Sequence, residues 1–282
     1  MGLYDNLINV FRKTPNNLFG WVPDVPDIRD MQFSLGDMPM TATPWPPKAD
    51  LTPVMATQKL PRWDQSTLGC CVWNASAGVY EFTYRKLNPG KSYMLSRLFG
   101  YYNTRVIENT VKSDTGCQIR NAFKVMNKTG ICHESLWAYD IKKFAVKPSA
   151  ASYNEAKKNM LTNMTKTGKV FYACLPQSDF FIEGSLNRGY PIVYGIAVYE
   201  SFMSAAVAKT GIVPMPLKGE KMIGGHATFL CGYDRTNTGK KFFVGCNSWG
   251  NKWGNNGLYY IPYEYVLNPN MACDFWTIQI AP

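Results

Sequence analysis

The hydrophobic positions that follow residue 70 repeat with helical spacing. Val72, Ala75, Val79 and Phe82 recur at steps of three, four and three. A second apolar stripe runs along another face of the same segment, through Trp73, Ala77, Tyr80 and Tyr84. Because a helix that is apolar on two faces must be surrounded by other elements, the pattern predicts a buried, central helix here.

The same kind of repeat predicts further helices over about 94–108, 118–129, 151–166 and 178–188, each followed by a glycine or asparagine stop signal. From Pro191 the pattern changes to short runs rich in β-branched and aromatic residues, which predict strands. These runs are IVYGIAVY, HATFLCGY, KFFVGC, GLYYIP and DFWTIQI. Helices followed by strands predict an α+β protein of two lobes, and the cleft between them is the expected ligand site.

The N-terminal region carries two other patterns. Hydrophobic residues between 3 and 13 have helical spacing, which favours a short amphipathic helix that packs on the protein itself. The stretch from Gly20 to Asp64 is rich in proline, which favours an extended, wrapping arm over helix. We expect residues 1–50 to form an N-terminal extension and residues 51–282 to form the compact domain.

The composition is that of an ordinary folded protein, since 46% of the 282 residues are hydrophobic and 18% are charged. The longest apolar stretch, at 190–199, is broken by Pro191 and is too short to span a bilayer. The N-terminus lacks the basic segment, apolar run and cleavage site of a secretory signal. We therefore expect a cytoplasmic or other intracellular location, with a viral particle or an infected cell left open.

Charge and cysteine content exclude several kinds of site. The net charge of +10 comes from scattered basic pairs, which favours solubility and weak polyanion affinity over a dedicated nucleic-acid site. Eight cysteines are only a few per cent of the chain, so free thiols are expected instead of a disulfide framework. No CxxC pair or histidine-rich tract has metal-ligand spacing, so neither a metal nor a cofactor is predicted.

Three polar residues have the settings of a thiol-dependent active site. Cys71 stands at the start of the predicted central helix, where the helix dipole favours the thiolate. His226, one of two histidines in the chain, opens a predicted buried strand after two glycines. Asn247 follows it by twenty-one positions, at the end of another strand that can return beside the histidine and orient its ring. His133 has no comparable setting and is expected at the surface.

These residues lie in three motifs: DQSTLGCCVWNASAG around Cys71, GGHATFLCGYD around His226 and NSWGNKWGNNG from Asn247. In these motifs, and in longer runs such as GWVPDVPDIRDMQFS, the chain resembles the papain-like cysteine peptidases, especially bacterial and phage-type members without secretory disulfides. The resemblance covers nearly the whole chain. It implies a papain-like α+β fold, with a helical left lobe over about 60–168 and a β-barrel-like right lobe over about 169–282.

The resemblance also implies an activity, that of a cysteine endopeptidase which hydrolyses polypeptides through an acyl-enzyme thioester on Cys71. It assigns Gln65, with the backbone N–H of Cys71, to an oxyanion hole. It assigns Trp249 to shielding the histidine–asparagine hydrogen bond and Gly116 to pairing with the substrate backbone. Taken alone, these three would be a surface glutamine, a core tryptophan and a loop glycine. Leu68 stands where secreted members usually have a disulfide-bonded cysteine, which favours a reducing compartment.

Several alternatives stay open at this point. The same scaffold could carry a catalytically silent structural or binding protein, or an acyl-transferase such as a transpeptidase or amidase that shares the thioester. Cys70 is expected to be a small buried residue, and a strained disulfide with Cys71 would instead make it a redox switch. The 64 residues before Gln65 are too few for the family's usual long prosegment together with a mature N-terminal arm. The enzyme could therefore be made active, or be restrained by a short plug drawn from residues 1–20. We expect a monomer.

Overall fold

The computed structural model describes residues 19–33, 45–166, 168–236 and 239–281. The helix predicted between residues 3 and 13 lies outside these ranges, as does all but the end of the plug considered for residues 1–20. Within the described residues, none of the helices combines the length and the apolar character needed to cross a bilayer.

The described residues form eight α-helices, and the three longest of them lie in the first half of the chain. They are α1 (Thr52–Thr57), α2 (Cys71–Leu87), α3 (Arg97–Ile107), α4 (Ile119–Lys128), α5 (Ala150–Ala156), α6 (Asp179–Asn187), α7 (Ala205–Thr210) and α8 (Tyr263–Val266). Every residue of α2 from Cys71 to Thr83 is buried, which confirms the prediction of a central helix with two apolar faces.

Four helices differ from the prediction, and two of them, α7 and α8, are short helices among the predicted strands. The proline-rich stretch was expected to be extended, but α1 forms with Pro53 in its first turn, where the missing N–H of proline costs no helical hydrogen bond. The helix expected over 151–166 ends at Ala156 and continues as two short 3₁₀ turns. There the Asn159 side chain donates to the carbonyl of Glu155 at 3.1 Å, a local bond of the kind that competes with helix.

The second half of the chain supplies most of an antiparallel sheet. Its strands are β1 (Lys48–Asp50), β2 (Lys169–Cys174), β3 (Ile192–Tyr199), β4 (Met222–Asp234), β5 (Phe242–Cys246), β6 (Leu258–Pro262) and β7 (Ala272–Ala281). The strand order is β2-β7-β3-β4-β5-β6, and β1 pairs separately with β4. The five predicted strand runs correspond to β3 to β7, whereas β1 and β2 were not predicted.

The sheet is open, so the expectation of a barrel-like right lobe is corrected. In the described residues the end strands β2 and β6 do not pair with each other. Each edge is instead covered by a loop: the N–H of Phe33 donates to Cys174 of β2 at 2.7 Å, and the N–H of Val213 donates to Tyr260 of β6 at 2.9 Å. These loops give partners to the backbone groups of Cys174 and Tyr260, which an uncovered edge strand would leave unpaired.

The central helix packs directly on the sheet. Gly78 in the middle of α2 lies so close to Phe229 of β4 that a Cβ added there would overlap the phenylalanine ring. This close approach places the N-terminal end of α2 beside β4 and β5. Cys71 and His226 are therefore brought together by the packing of one helix on one strand.

Candidate active site

The thiol of Cys71 lies against the strand that carries His226. Cys71 is the first residue of α2 and is fully buried. Its Sγ accepts a hydrogen bond from the backbone N–H of Ala227 at 3.4 Å, and Ala227 follows His226 in β4. The two residues singled out by their motifs are thus neighbours in space, although 155 positions separate them in the chain.

The imidazole of His226 is oriented by Asn247. His226 Nε2 lies 2.8 Å from Asn247 Oδ1, which also accepts the backbone N–H of Ser248 at 2.8 Å. Because that oxygen is an acceptor, Nε2 carries the ring proton, and Nδ1 has a free lone pair. Nδ1 is buried and makes no hydrogen bond to the described residues. The Trp249 ring stacks on the imidazole, with centroids 4.9 Å apart, and covers it.

Gln65 is fixed between the Cys71 loop and the Asn247 loop. It is fully buried, and its Nε2 donates to the carbonyl of Leu68 at 3.0 Å. Its Oε1 accepts the hydroxyl of Ser248 at 2.6 Å, and its backbone N–H donates to the carbonyl of the same serine at 2.9 Å. Gln65 is therefore held in the same region as Cys71 and Asn247, as the motif spacing predicted.

The cleft beside these residues is filled by the chain's own N-terminal part. We call residues 19–22 the cleft segment. The N–H of Cys117 donates to the carbonyl of Gly20 at 2.9 Å, and the N–H of Val22 donates to Cys117 at 3.1 Å, in a parallel bridge. Gly116 has a φ of +72°, and a Cβ added there would overlap the carbonyl of Gly20. Gly116 thus lies against a backbone in the cleft, but Cys117 makes the hydrogen bonds.

Two residues of the cleft segment cover the proposed catalytic groups. The backbone N–H of Gly20 lies close enough to the Cys71 thiol to favour its thiolate. The ring of Phe19 packs edge-on against the imidazole of His226, with centroids 6.3 Å apart. The cleft segment therefore lies against both groups.

Trp21 anchors the cleft segment. Its indole is 1% exposed and rests on Gly195, where a Cβ would overlap the ring. Its Nε1 donates to Asp274 Oδ2 at 3.0 Å, and its backbone N–H donates to the carbonyl of Gly225 at 3.2 Å. The Asp274 carboxyl also accepts the backbone N–H of Asp24 at 2.8 Å.

Burial sets the protonation state of the covered site. It raises the pKa of the Cys71 thiol to about 11, although the N–H groups of Ala227 and Gly20 favour the thiolate. It lowers the pKa of His226 to about 4, although the hydrogen bond with Asn247 favours the cation. At neutral pH both groups are neutral. Burial in this covered form therefore opposes the thiolate that the helix dipole favours.

Sequence reasoning missed the anchoring residues of the cleft segment. Asp24 accepts the indole N–H of Trp276 at 2.8 Å, and the Arg120 side chain binds Asp30 at 2.6 Å. These partners belong to no catalytic motif and lie far apart in the chain. The run GWVPDVPDIRDMQFS, which contains Trp21, was the one available signal.

The other cysteines and the second histidine lie outside the site chemistry. All eight cysteines are free thiols. Cys70 is fully buried at the start of α2, where burial raises the pKa of its thiol, and it forms no disulfide with Cys71. His133 is half-buried, with Nδ1 2.9 Å from Ser135 Oγ.

Comparison with known proteins agrees with this geometry. The family described as "Papain family cysteine protease" matches residues 56–276. A peptidase C1-like protein of Acanthamoeba polyphaga mimivirus is 41% identical over 273 residues, covering 93% of this chain and 86% of the relative. Xylellain, a cysteine protease from Xylella fastidiosa, superposes with a TM-score of 0.82 at 32% identity, covering 96% of this chain and 98% of that one.

More distant structures share the fold. A procathepsin B from Trypanosoma congolense has a TM-score of 0.69 at 14% identity, with 96% of this chain and 88% of that chain covered. At that identity the likeness concerns the architecture alone. The helices and the antiparallel sheet of this chain agree with the α+β fold of two lobes predicted from the sequence.

Proposed function

This chain belongs to the papain family of cysteine proteases, and from that membership we propose that it is an endopeptidase whose catalytic residues are Cys71, His226 and Asn247. The observation that carries the proposal is the 2.8 Å bond between His226 Nε2 and Asn247 Oδ1, which leaves Nδ1 free on the strand that touches the Cys71 sulfur. A protease acts on polypeptides, so the substrate is a peptide chain lying in the cleft.

The proposed reaction begins when His226 Nδ1 takes the thiol proton and the Cys71 sulfur attacks the scissile carbonyl. The Gln65 amide and the Cys71 N–H bind the oxyanion of the tetrahedral intermediate. His226 then returns the proton to the leaving amine, and a thioester remains on the enzyme. Water, deprotonated by the same nitrogen, hydrolyses the thioester and restores the thiol. Asn247 and Trp249 keep the ring in the one orientation that allows both transfers.

We further propose that the described form is latent and that residues 1–50 form an extension which must partly withdraw. Gly20 and Phe19 lie on the thiol and on the imidazole, so substrate and cleft segment compete for one space. Withdrawal would also admit water, which moves the pKa values of Cys71 and His226 back towards each other. The eight free thiols support a reducing compartment as the place of action.

The test is limited alkylation with iodoacetamide near pH 6, mapped by mass spectrometry, of a Trp21→Ala chain in which the cleft segment has lost its anchor and the thiol is accessible. Cys71 should be modified selectively, and His226→Ala should slow this labelling by about tenfold or more, because the thiolate loses its counter-ion. His133→Ala is the matched control and should leave the rate unchanged. The half-buried thiols Cys174 and Cys273 serve as internal references. Labelling of all accessible thiols at one rate would contradict an activated nucleophile.

Peptide turnover then separates the alternatives. Cys71→Ala should abolish cleavage of a fluorogenic peptide library, whereas a binding protein on this scaffold would show no Cys71-dependent turnover at all. Product analysis with an added amine nucleophile distinguishes hydrolysis from acyl transfer, since only a transferase would yield mainly the amide.

A further inference from the structure

Arg97 lies outside the proposed catalytic set but touches the loop that carries Gln65. It is the first residue of α3 and is 5% exposed. Its Nη1 donates to the carbonyl of Asp64 at 3.0 Å and to Asn74 Oδ1 at 2.6 Å. Asp64 directly precedes Gln65, and Asn74 lies in the first turn of α2. One guanidinium nitrogen therefore joins the oxyanion loop to the helix that starts at Cys71.

The same guanidinium is held between two aromatic rings. Its central carbon lies 4.1 Å from the ring centre of Trp63 and 3.8 Å from that of Tyr139. The hydroxyl of Tyr139 donates to the carbonyl of Gln65 at 3.0 Å. The consecutive residues Trp63, Asp64 and Gln65 are thus all tied to Arg97, directly or through Tyr139. A planar fork that stacks and donates at once is a property of arginine that lysine lacks.

The opposite side of this loop is fixed by the other half of the molecule. The N–H of Gln65 donates to the carbonyl of Ser248 at 2.9 Å, and the N–H of Gly250 donates to that of Trp63 at 3.0 Å. These two bonds fix the position of the loop relative to the residues around Asn247. Arg97 fixes its position relative to α2, so the loop is held from both sides.

We propose that Arg97 is a positioning residue for the oxyanion hole. By fixing the Asp64–Gln65 backbone against the first turn of α2, it makes the Gln65 amide and the Cys71 N–H converge on one substrate oxygen. The inference rests on the proposed function. Oxyanion donors stabilise charge that develops in the transition state, so a misplaced donor lowers kcat more than it changes KM.

A double-mutant cycle on the full-length chain tests this, with a fluorogenic peptide as substrate. Gln65→Ala should lower kcat about 100-fold and Arg97→Gln about tenfold, with KM changed less than about twofold by the second. Arg97→Lys keeps the positive charge but loses the planar guanidinium with its several donors. Its kcat should lie between those of wild type and Arg97→Gln. In the Gln65→Ala background, Arg97→Gln should lower kcat by less than about twofold, because the donor that Arg97 positions is already gone. The equilibrium between covered and open cleft is the same in all of these variants, because none of the substitutions lies in the cleft segment. It therefore cancels when their kcat values are divided by one another.

Arg105→Gln is the matched control. Arg105 lies on the same helix, is fully buried, and donates from Nη1 to the carbonyls of Val111 and Ser113 at 2.8 and 2.9 Å. Its replacement should lower the Tm while leaving kcat within about twofold of wild type, since it does not touch the Gln65 loop. A fall in kcat equal to that of Arg97→Gln would overturn the inference.

Tyr139→Phe keeps the test valid if Arg97→Gln does not fold. It removes one hydroxyl, retains the stacked ring, and should lower kcat by roughly threefold only where Gln65 is present. An equal loss for Arg97→Gln or Tyr139→Phe with and without Gln65 would overturn the positioning role while leaving the nucleophile in place. If Cys71→Ala kept the wild-type rate, the proposed function itself would fail and the inference with it.

Discussion

Two stretches of the proline-rich N-terminal part lie on the protein in different ways. The cleft segment, residues 19–22, runs through the candidate active site and places Gly20 against Cys71. Residues 45–50, which we call the sheet segment, run along the sheet: Trp45 Nε1 donates to the carbonyl of Phe180 at 2.8 Å, and β1 pairs with β4. The proline content of residues 20–64 as a whole predicts an extended backbone in both. It does not show that one stretch blocks a site and the other completes a sheet.

The difference lies in the residues at the point of contact. A Cβ on Gly20 would overlap the carbonyl of Gly69, so the chain can cross the thiol only where it has no side chain. The sheet segment instead forms ladder bonds that most residues can make. Changes in the cleft segment should therefore alter activity, and changes in the sheet segment should alter stability alone.

The largest expected effect is on the rate of Cys71 alkylation, which should differ between Trp21→Ala and Trp45→Ala. Removing a buried tryptophan typically costs about 3–5 kcal/mol, so Trp21→Ala should raise the open fraction, and with it the Cys71 alkylation rate, by about 100-fold or until the cleft is fully open. Trp45→Ala removes a half-buried indole of the sheet segment and should lower the Tm without changing that rate. Equal alkylation rates in the two variants would show that the cleft segment does not control access.

Gly20→Ala sharpens the comparison with a single methyl group. Overpacking of this kind costs about 1–3 kcal/mol, which corresponds to an increase of about tenfold in peptidase rate if the closed form dominates. Gly239→Ala is the matched control, because a Cβ there meets nothing within 4 Å. The initial rate of cleavage of one fluorogenic peptide is measured for Gly20→Ala and for Gly239→Ala. An unchanged rate in Gly20→Ala would mean that residue 20 does not limit access to the thiol.

The smallest effect is a pH dependence of cleft-segment docking through Asp24 and Asp274. Burial raises the pKa of Asp24 to about 6, against the lowering influence of Arg120. Burial, with the charge of Asp24 added, raises the pKa of Asp274 well above its usual value. These acids bind protons more tightly in the docked state. Their contribution to docking is therefore complete below the usual pKa near 4 and is lost as the pH rises through 6.

The measurement is the Cys71 alkylation rate of wild type divided by that of Gly20→Ala at the same pH, which removes the intrinsic titration of the thiol. This ratio should rise by about threefold between pH 5 and pH 7.5. Asp274→Asn should flatten the rise, because the neutral amide has no charge to repel Asp24. Arg120 and its partner Asp30 face the same pair. The pKa of Arg120 is raised, because the nearby Asp24 and Asp30 outweigh the effect of burial, so its guanidinium stays charged over this range and should not reverse the sign. A ratio that falls with pH would contradict the assignment.

Sequence patterns predict this fold best where the hydrophobic repeat is long. The helical repeat predicts α2 to α4, because burial on one or two faces dictates the spacing. Runs rich in β-branched and aromatic residues predict β3 to β7. Helix α1 was missed because its proline occupies the one helical position that tolerates it. The open sheet was missed because edge protection by Phe33 and Val213 depends on contacts between distant segments.

At the candidate site, motif spacing anticipates that Cys71, His226, Asn247 and Gln65 lie together. It does not anticipate their protonation, since the pKa of Cys71 in this form is set by burial under the cleft segment. The role proposed for Arg97 is also hidden, because an arginine at a helix start is ordinarily a surface residue. Its significance depends on Trp63 and Tyr139, which come from two other parts of the chain.

The backbone that lies across the sulfur also protects it chemically. Oxidation to sulfenic acid, like alkylation, proceeds through a thiolate that the oxidant can reach, whereas the Cys71 thiol is fully buried and burial raises its pKa. In the proposed latent form, Cys71 should therefore react with peroxide more slowly than a thiol at the surface. Gly20 would then govern the oxidation of the nucleophile as well as the access of substrate.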